Sequence, residues 1–249
     1  MSDVVLLHAG IADSRMWAPQ LKSLARDHRV IAPDLPGFGT AAYESDVVDF
    51  RAAVRQAMDR AGIERAVLVG NSFGGLIALE FALESPERVS ALVLVGTAID
   101  DHDWSNELDE VGNAEMAALE RGDREGAVET QLAWVTGPRR NRDAVDRNVL
   151  ALVAEMQRNV YELQEGHDDV RSRRLDPPAS KRLAEVSVPT LVMTGDEDFD
   201  DILRIADRLA AEIPNAERVR IAHTAHLPSL ERPDEFDRIV LRFFAEHRV

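Results

Sequence analysis

The chain has 249 residues, with 29 basic and 45 acidic side chains, so its formal net charge is −16. A chain this acidic repels phosphate backbones, which argues against nucleic acid as a partner. It contains no cysteine, and disulfides, thiolate metal sites and thiol nucleophiles are therefore excluded. No apolar run reaches the ~18 residues of a membrane helix. The N-terminus lacks the features of a signal peptide, so we expect a soluble protein of the cytoplasm without a membrane partner.

The first hundred residues alternate between short apolar runs and segments of helical periodicity. The runs that predict strands are residues 4–7, 30–32, 66–69 and 91–95. The segments that predict helices are residues 17–25, a helix that starts near Ser45 and Asp46 and ends near Gly62, and residues 73–83. Because the strand runs are continuously apolar, a parallel sheet covered on both faces is expected.

This alternation stops between residues 100 and 186 and then resumes. The middle segment shows helical patterns at 104–120, 124–135 and 141–164, and it ends in a polar stretch at 168–181 that predicts a loop. Strands are predicted again at 189–194 and 218–221, with helices at 202–213 and from Pro233 onward. We therefore expect an α/β core made of residues 1–99 and 187–249, with residues 100–186 inserted as a helical cap.

The strongest motif is Gly-Asn-Ser-Phe-Gly at residues 70–74, between a predicted strand and a predicted helix. A G-x-S-x-G motif in this context predicts a nucleophile elbow, a sharp turn that exposes the serine hydroxyl. Glycine is needed at 70 and 74 because side chains there would collide with the neighbouring backbone. We expect Ser72 to be a nucleophile and the backbone N–H of Phe73 to be one oxyanion donor.

A nucleophilic serine needs a base and an acid that orients the base. In this architecture the acid and then the histidine follow the serine along the chain. Asp196 and Asp198 follow the predicted strand at 189–194, and His223 and His226 follow the last predicted strand. On spacing alone, either carboxylate and either histidine are candidates.

Four blocks in this order make the sequence similar to the α/β-hydrolase superfamily over nearly its whole length. The blocks are residues 8–10, 34–39, 70–74, and a closing pair at 195–198 and 226–233. The resemblance implies that Ser72 is the nucleophile, His226 the general base and Asp198 the acid that orients it. It also places the second oxyanion donor at Gly10, with Ile11 as the alternative, and gives His8 a structural role.

The sequence departs from the family's usual pattern in three places. Ala9 and Ala225 stand where similar proteins usually carry glycine. Only seven residues precede His8, so the antiparallel strand pair that usually comes first is expected to be missing. We predict about six parallel strands with helices on both faces and with the strand at 30–32 near an edge. An edge strand favours pairing or shielding, and a monomer or a homodimer is expected.

The resemblance further implies a serine hydrolase that cleaves a carboxylic ester or lactone of a small to medium apolar molecule. The stretch at residues 12–17 and the inserted cap are similar to those of 3-oxoadipate enol-lactonases and meta-cleavage C–C bond hydrolases. C–C bond hydrolysis, cofactor-free haloperoxidase or perhydrolase chemistry, and ligand binding without turnover are the alternatives. Arg139 or Arg140 is a candidate to hold a substrate carboxylate. The candidate substrate contacts are Ile11, Trp104, Trp134 and Leu227.

No cofactor or metal is expected. The chain has no glycine-rich nucleotide motif that opens a helix and no phosphate-loop lysine. Asp196, Asp198 and Asp200 match alternate positions of a calcium loop, but Asp201 stands where that loop needs glycine. His223 and His226 lack a third ligand for zinc.

Overall fold

The central sheet is parallel throughout. The structure, a computed structural model, describes residues 2–249. Its strands are β1 (Asp3–Leu7), β2 (Arg29–Ile31), β3 (Val47–Val48), β4 (Ala66–Asn71), β5 (Val89–Val95), β6 (Arg171–Ser172), β7 (Thr190–Gly195) and β8 (Ala216–Ile221). Six strands form the sheet in the order β2-β1-β4-β5-β7-β8, and each neighbouring pair is parallel. The predicted sheet of about six parallel strands, with the second strand at an edge, is confirmed.

Helices follow most of the strands, and three of them lie between β5 and β7. The helices are α1 (Ala18–Leu24), α2 (Phe50–Arg60), α3 (Phe73–Glu84), α4 (Asn106–Glu120), α5 (Arg124–Thr136), α6 (Arg147–Gln164), α7 (Asp200–Glu212), α8 (Pro228–Glu231) and α9 (Pro233–His247). We call α4, α5 and α6 the insertion helices. Within residues 2–249, no helix has the length and apolar character needed to span a membrane.

The two faces of the sheet pack against different helices. Along β1, Val5 and Leu7 join one apolar cluster with side chains of α2, α3 and α7. Val4 and Leu6 join a second cluster with side chains of α1 and α9. All four side chains are fully buried. Because successive side chains of a strand point to opposite faces, burial of both faces explains why the strands appear in the sequence as continuous apolar runs.

Two predicted boundaries and one predicted loop are wrong. Helix α2 begins after Asp49, whose side chain accepts hydrogen bonds from the backbone of Arg51 and Ala52, and not near Ser45 and Asp46. The intervening Val47–Val48 is strand β3, which pairs in parallel with β6 inside the segment predicted to be a loop. Helix α6 begins at Arg147 rather than at 141, after a cap at Asp146. A pairing of two-residue strands depends on distant contacts, which local periodicity does not report.

The topology gathers the chemically important residues at one edge of the sheet. In a parallel sheet, the carboxyl ends of all strands lie on the same side. Ser72 directly follows β4 and Gly96 directly follows β5. Asp198 follows β7, and His226 lies beyond β8. The three residues predicted to act in catalysis therefore come from loops at the same edge, although they span 154 positions of the chain (226 − 72).

Candidate active site

Ser72 lies in a strained turn between β4 and α3. Its backbone has φ 53° and ψ −113°, a conformation that side-chain-bearing residues rarely adopt. The flanking glycines permit the turn. A Cβ at Gly70 would collide with the Gly74 carbonyl, and a Cβ at Gly74 would collide with the carbonyls of Leu7 and His8. The predicted elbow geometry is therefore present, and it holds Ser72 at the N-terminus of α3.

His226 and Asp198 form a buried pair next to this turn. His226 Nδ1 lies 2.9 Å from Asp198 Oδ2, and the side chains are 1% and 0% exposed. The other carboxylate oxygen of Asp198 accepts a hydrogen bond from the backbone N–H of Phe199 at 2.8 Å. A carboxylate on Nδ1 leaves Nε2 as the nitrogen available for proton transfer.

The alternative acid and base lie elsewhere. Asp196 Oδ1 accepts a hydrogen bond from the backbone N–H of His223 at 2.6 Å, and His223 is exposed. Asp200 pairs with Arg139 at 2.7 Å. Asp196, Asp198 and Asp200 thus have separate protein partners instead of facing a common point, as ligands of a calcium ion would. Among residues 2–249, no group of three or more His, Asp or Glu side chains is arranged to hold a metal ion.

Two further contacts hold His226 in place, and a glycine leaves room for it. The Trp134 ring lies 4.6 Å from the imidazole between ring centroids. Asn71 Nδ2 donates a hydrogen bond to the His226 carbonyl at 3.1 Å. Gly96, at φ +49°, leaves room for the pair, since a Cβ there would lie 3.2 Å from His226 Nδ1 and 3.4 Å from Asp198 Oδ2. The sequence patterns pointed to Trp134 but not to Asn71 or Gly96, although Asn71 is part of the elbow motif.

The two predicted oxyanion donors are neighbours. A Cβ added at Gly10 would lie 3.6 Å from the Phe73 Cβ. Phe73 is the first residue of α3, so its N–H has no acceptor within that helix. In the described part of the chain, neither this N–H nor that of Gly10 donates to a protein acceptor. Ile11, the alternative donor, lines the same cavity as Gly10.

His8 holds the loop that carries Gly10. Its Nε2 accepts a hydrogen bond from the backbone N–H of Leu35 at 3.0 Å, and its Nδ1 lies 2.9 Å from the Ala9 carbonyl. Complete burial lowers the pKa of His8, which keeps the imidazole neutral and able to accept this bond. The structural role expected for His8 agrees with these contacts.

A cavity of about 350 Å³ opens between the sheet edge and the insertion helices. Ser72 and His226 both line it, although no hydrogen bond joins their side chains within the described structure. Hydrogen bonds of this kind are often long before a substrate is bound. The apolar lining comprises Ile11, Phe38, Leu108, Val111, Trp134 and Val160. The polar lining comprises Glu115, Gln131, Gln157, Tyr161 and Gln164.

Two of the four candidate substrate contacts lie outside this cavity. Ile11 and Trp134 line it, as expected. Trp104 is 36% exposed and lies against His102, with 4.8 Å between the ring centroids. Leu227 is fully buried in the apolar cluster on the α1 and α9 face of the sheet. The structure therefore does not bring Trp104 and Leu227 together with Ser72 in this cavity, and spacing along the chain could not indicate this because it does not report which way a side chain points.

The two arginines considered for a substrate carboxylate bind protein groups instead. Arg139 Nη2 donates to the Asp198 carbonyl at 2.7 Å. Arg140 pairs with Glu231 at 2.6 Å and donates to the His223 carbonyl at 2.9 Å. The segment after α5 therefore contacts both loops that carry the His–Asp pair. No sequence pattern indicates these contacts, because they join residues about 60 to 90 positions apart.

A second polar cluster lies where α7 begins. Asp201 is buried and accepts hydrogen bonds from His102 at 2.8 Å, Ser105 at 2.5 Å and Arg204 at 2.8 Å. Burial acts to raise the pKa of Asp201, but these hydrogen bonds outweigh it and lower the pKa to about 2. The cluster thus fixes the loop that leads into α4 against the α/β core.

A parallel sheet with a serine elbow and a His–Asp pair at its carboxyl edge is the architecture of an α/β hydrolase. The family model described as "alpha/beta hydrolase fold" matches residues 4–233. The chain belongs to this family.

The relatives within the family are hydrolases with different substrates. A 2-hydroxy-6-oxo-6-phenylhexa-2,4-dienoate hydrolase from Burkholderia cepacia is 30% identical, over 97% of this chain and 87% of that protein. Carboxylesterase YbfK from Bacillus subtilis is 28% identical, over 96% of this chain and 79% of that protein. The enol-lactonase from Burkholderia xenovorans LB400 superposes with a TM-score of 0.78 at 24% identity, over 98% of this chain and 91% of that chain. At 24% identity, this structural similarity is evidence for the fold alone.

Proposed function

We propose that this protein is a serine hydrolase that cleaves a carboxylic ester or lactone through an acyl-enzyme on Ser72. One observation carries the proposal. Ser72, held in a strained turn at φ 53°, lines the same cavity as His226, whose Nδ1 lies 2.9 Å from the carboxylate of Asp198. A nucleophile, a base and a group that orients the base are the parts that acyl transfer needs.

In the first half of the reaction, Ser72 Oγ attacks the carbonyl carbon of the substrate while His226 Nε2 takes the hydroxyl proton. Asp198 stabilises the imidazolium that forms. The carbonyl oxygen becomes an oxyanion, and the N–H groups of Gly10 and Phe73 donate hydrogen bonds to it. The bond from carbon to the leaving oxygen then breaks, and His226 returns the proton to that oxygen.

In the second half, water replaces the leaving group. His226 Nε2 takes a proton from the water, whose oxygen attacks the acyl carbon. The second tetrahedral intermediate collapses when the bond between the acyl carbon and Ser72 Oγ breaks, and Oγ regains a proton from His226. The products are the free acid and regenerated Ser72. For a lactone, the alcohol and the acid are parts of one molecule.

We further propose that the chain functions as a core of residues 1–99 and 187–249 with residues 100–186 as a cap that selects the small-molecule substrate. This assignment is supported by the position of the insertion helices. Leu108 and Glu115 of α4, Trp134 of α5, and Val160 and Tyr161 of α6 line the cavity that contains Ser72. The substrate must therefore pass between these helices and the sheet edge.

Dienoate hydrolysis is the second candidate, because the Burkholderia cepacia relative is named for it. That substrate is a carboxylate, as the ending of its name states. The two candidates use the same serine, histidine and aspartate in this proposal, and they differ in the bond that is cleaved. Substrate panels therefore have to include both an ester and a carboxylate-bearing compound.

The test of the proposal is intact-mass labelling with a fluorophosphonate, combined with turnover of p-nitrophenyl butyrate. Ser72 Oγ should displace fluoride from phosphorus, which gives one adduct on the wild-type protein. Ser72→Ala should show no adduct and no turnover, while its unfolding curve stays close to that of the wild type. The matched control is Ser172→Ala, which removes an exposed hydroxyl and should label like the wild type. An adduct or turnover that survives in Ser72→Ala would refute the assignment.

A further inference from the structure

One wall of the cavity carries hydrogen-bond acceptors. Glu115 of α4 and Tyr161 of α6 line it, and the Tyr161 hydroxyl donates to Glu115 Oε1 at 2.5 Å. Burial, together with the bond to Glu115, raises the pKa of Tyr161, so the tyrosine stays a neutral donor. The hydroxyl proton of Tyr161 is therefore already hydrogen-bonded to the Glu115 carboxylate. The rest of the Glu115 carboxylate is left to accept a hydrogen bond from a bound molecule.

Gln157 adds a second acceptor beside this pair. It belongs to α6, lines the cavity and is only 3% exposed. Its side-chain oxygen has no hydrogen-bond partner within residues 2–249. A buried carbonyl oxygen without a donor is costly, commonly by about 1–3 kcal/mol. A donor on a bound molecule would relieve this cost.

Among the described residues that line the cavity, none is lysine or arginine, so no such side chain balances the charge of Glu115. Arg139 and Arg140 are bound to Asp200 and Glu231. Arg124 lies in an adjoining outer groove, where it pairs with Glu165 at 3.2 Å. A carboxylate brought into the cavity would therefore meet a like charge and no lysine or arginine partner.

We infer that the substrate of Ser72 is an ester or lactone that carries a hydrogen-bond donor, such as a primary amide, a hydroxyl or an ammonium group, and no carboxylate. Glu115 and Gln157 would accept from that donor. This inference rests on the proposed function and adds a substrate class to it. It also replaces the expectation of an apolar substrate, because Glu115 and Gln157 would have no hydrogen-bond donor beside a hydrocarbon group.

The physical reason is the cost of burying charge. A carboxylate that leaves water without gaining a cationic partner loses hydration that neutral amide donors replace only in part. Its repulsion by Glu115 adds to this loss. A neutral amide of the same shape loses less hydration, and its N–H groups are matched by the acceptors on the wall. The discrimination should therefore appear between two substrates that differ only in this group.

Three p-nitrophenyl esters provide the test. The 5-carbamoylpentanoate and the hydrogen adipate are nearly isosteric, and they end in a primary amide and a carboxylate. The hexanoate reports general esterase activity. We expect kcat/KM for the amide to exceed that for the carboxylate by about tenfold or more. Glu115→Gln should narrow this ratio, mainly through faster hydrolysis of the adipate ester.

Glu110→Gln is the matched control, because it removes the same charge from an exposed position on the same helix. It should leave the ratio unchanged, since an exposed charge is screened by solvent. If Glu115→Gln and Glu110→Gln lowered the amide-to-carboxylate ratio of kcat/KM equally, the overall charge of the protein would set the preference. That result contradicts the inference, which assigns the preference to Glu115 and Gln157.

The remaining outcomes separate this inference from the proposed function. The wild type could hydrolyse the hexanoate and also hydrolyse the adipate ester as fast as the 5-carbamoylpentanoate ester, or faster. That result would overturn the substrate class and leave the serine hydrolase assignment intact. Absence of turnover on all three esters, together with no fluorophosphonate adduct, would overturn the serine hydrolase and this inference with it.

Discussion

The guanidinium of Arg140 and the carboxylate of Glu231 form an ion pair at 2.6 Å that joins the segment after α5 to the loop of His226. Both side chains are buried, at 8% and 6% exposure. The second oxygen of Glu231 accepts the backbone N–H of Ala225, the residue before His226, at 2.8 Å. The Arg140 guanidinium also donates to the carbonyls of Val135 and Thr136. The pair therefore links the end of α5 with the backbone on which His226 lies.

Arg140→Met should destabilise the protein by about 3 kcal/mol, because it leaves a buried carboxylate without its partner. The free energy of unfolding in urea measures this. Arg140→Met/Glu231→Gln should recover part of the loss, since the uncompensated charge is then gone. Arg142→Met is the control. Arg142 is 48% exposed, and its loss should cost less than about 1 kcal/mol. Equal losses for Arg140→Met and Arg142→Met would contradict the function assigned to the pair.

Gly96→Ala should reduce kcat/KM by more than about tenfold. The added methyl group would lie 3.2 Å from His226 Nδ1 and 3.4 Å from Asp198 Oδ2, so the pair has to shift. The left-handed backbone at φ +49° also makes alanine unfavourable, by about 1–2 kcal/mol. Ester turnover and urea unfolding measure the two effects separately.

Gly62→Ala separates the backbone effect from the effect on the pair. Gly62 has φ +65°, and an added Cβ would meet nothing within 4 Å. It should lose similar stability while keeping wild-type kcat/KM. If Gly96→Ala and Gly62→Ala lowered kcat/KM by the same factor, backbone strain would account for the loss. The predicted contact between the added methyl group and the His–Asp pair would then be contradicted.

Asp201→Asn should remove a pH-dependent part of the stability. The pKa of Asp201 is lowered from 3.8 to about 2 in the folded protein, so its charge stabilises the fold above about pH 4. This contribution is lost as the pH falls through about 2. We expect the variant to be less stable than the wild type at pH 7, by about 2 kcal/mol, and the difference to become small near pH 2.

Unfolding in urea across this pH range measures the effect. Asp103→Asn is the control, because Asp103 is exposed in the same loop as His102 and Ser105. Its difference from the wild type should stay small at every pH. If Asp201→Asn changed the free energy of unfolding by the same amount at pH 7 and at pH 2, the charge of the carboxylate would contribute nothing to stability.

The candidate catalytic residues could be predicted because their signals are local. The elbow is recognised from five consecutive residues: a Cβ at Gly70 would collide with the Gly74 carbonyl, whereas the collision at Gly74 would be with the carbonyls of Leu7 and His8 at the end of β1. The choice of Asp198 and His226 over Asp196 and His223 came from resemblance to a family and not from spacing. Spacing along the chain does not distinguish two carboxylates that both follow the same strand, and only their distances to His226 do.

The cavity could not be predicted in the same way. Trp104 and Trp134 both lie in helical patterns rich in apolar residues, yet only Trp134 contacts the imidazole of His226. Which side chains of α4, α5 and α6 face the serine depends on how these helices pack on the sheet. That packing also brings Glu115 of α4 beside Tyr161 of α6, and nothing in either helix alone indicates the pair.

Local sequence patterns were enough to predict the six strands of the central sheet and their order along the chain, the burial of both sheet faces and the elbow at Ser72. These properties follow from the spacing of apolar residues and from the sterics of a few neighbouring positions. The pairing of β3 with β6, the contacts of Arg140 with Glu231 and the polar lining of the cavity became visible in the folded chain alone. Each of these joins residues far apart in the chain, so its energy depends on distances that exist only once the insertion helices have packed against the sheet.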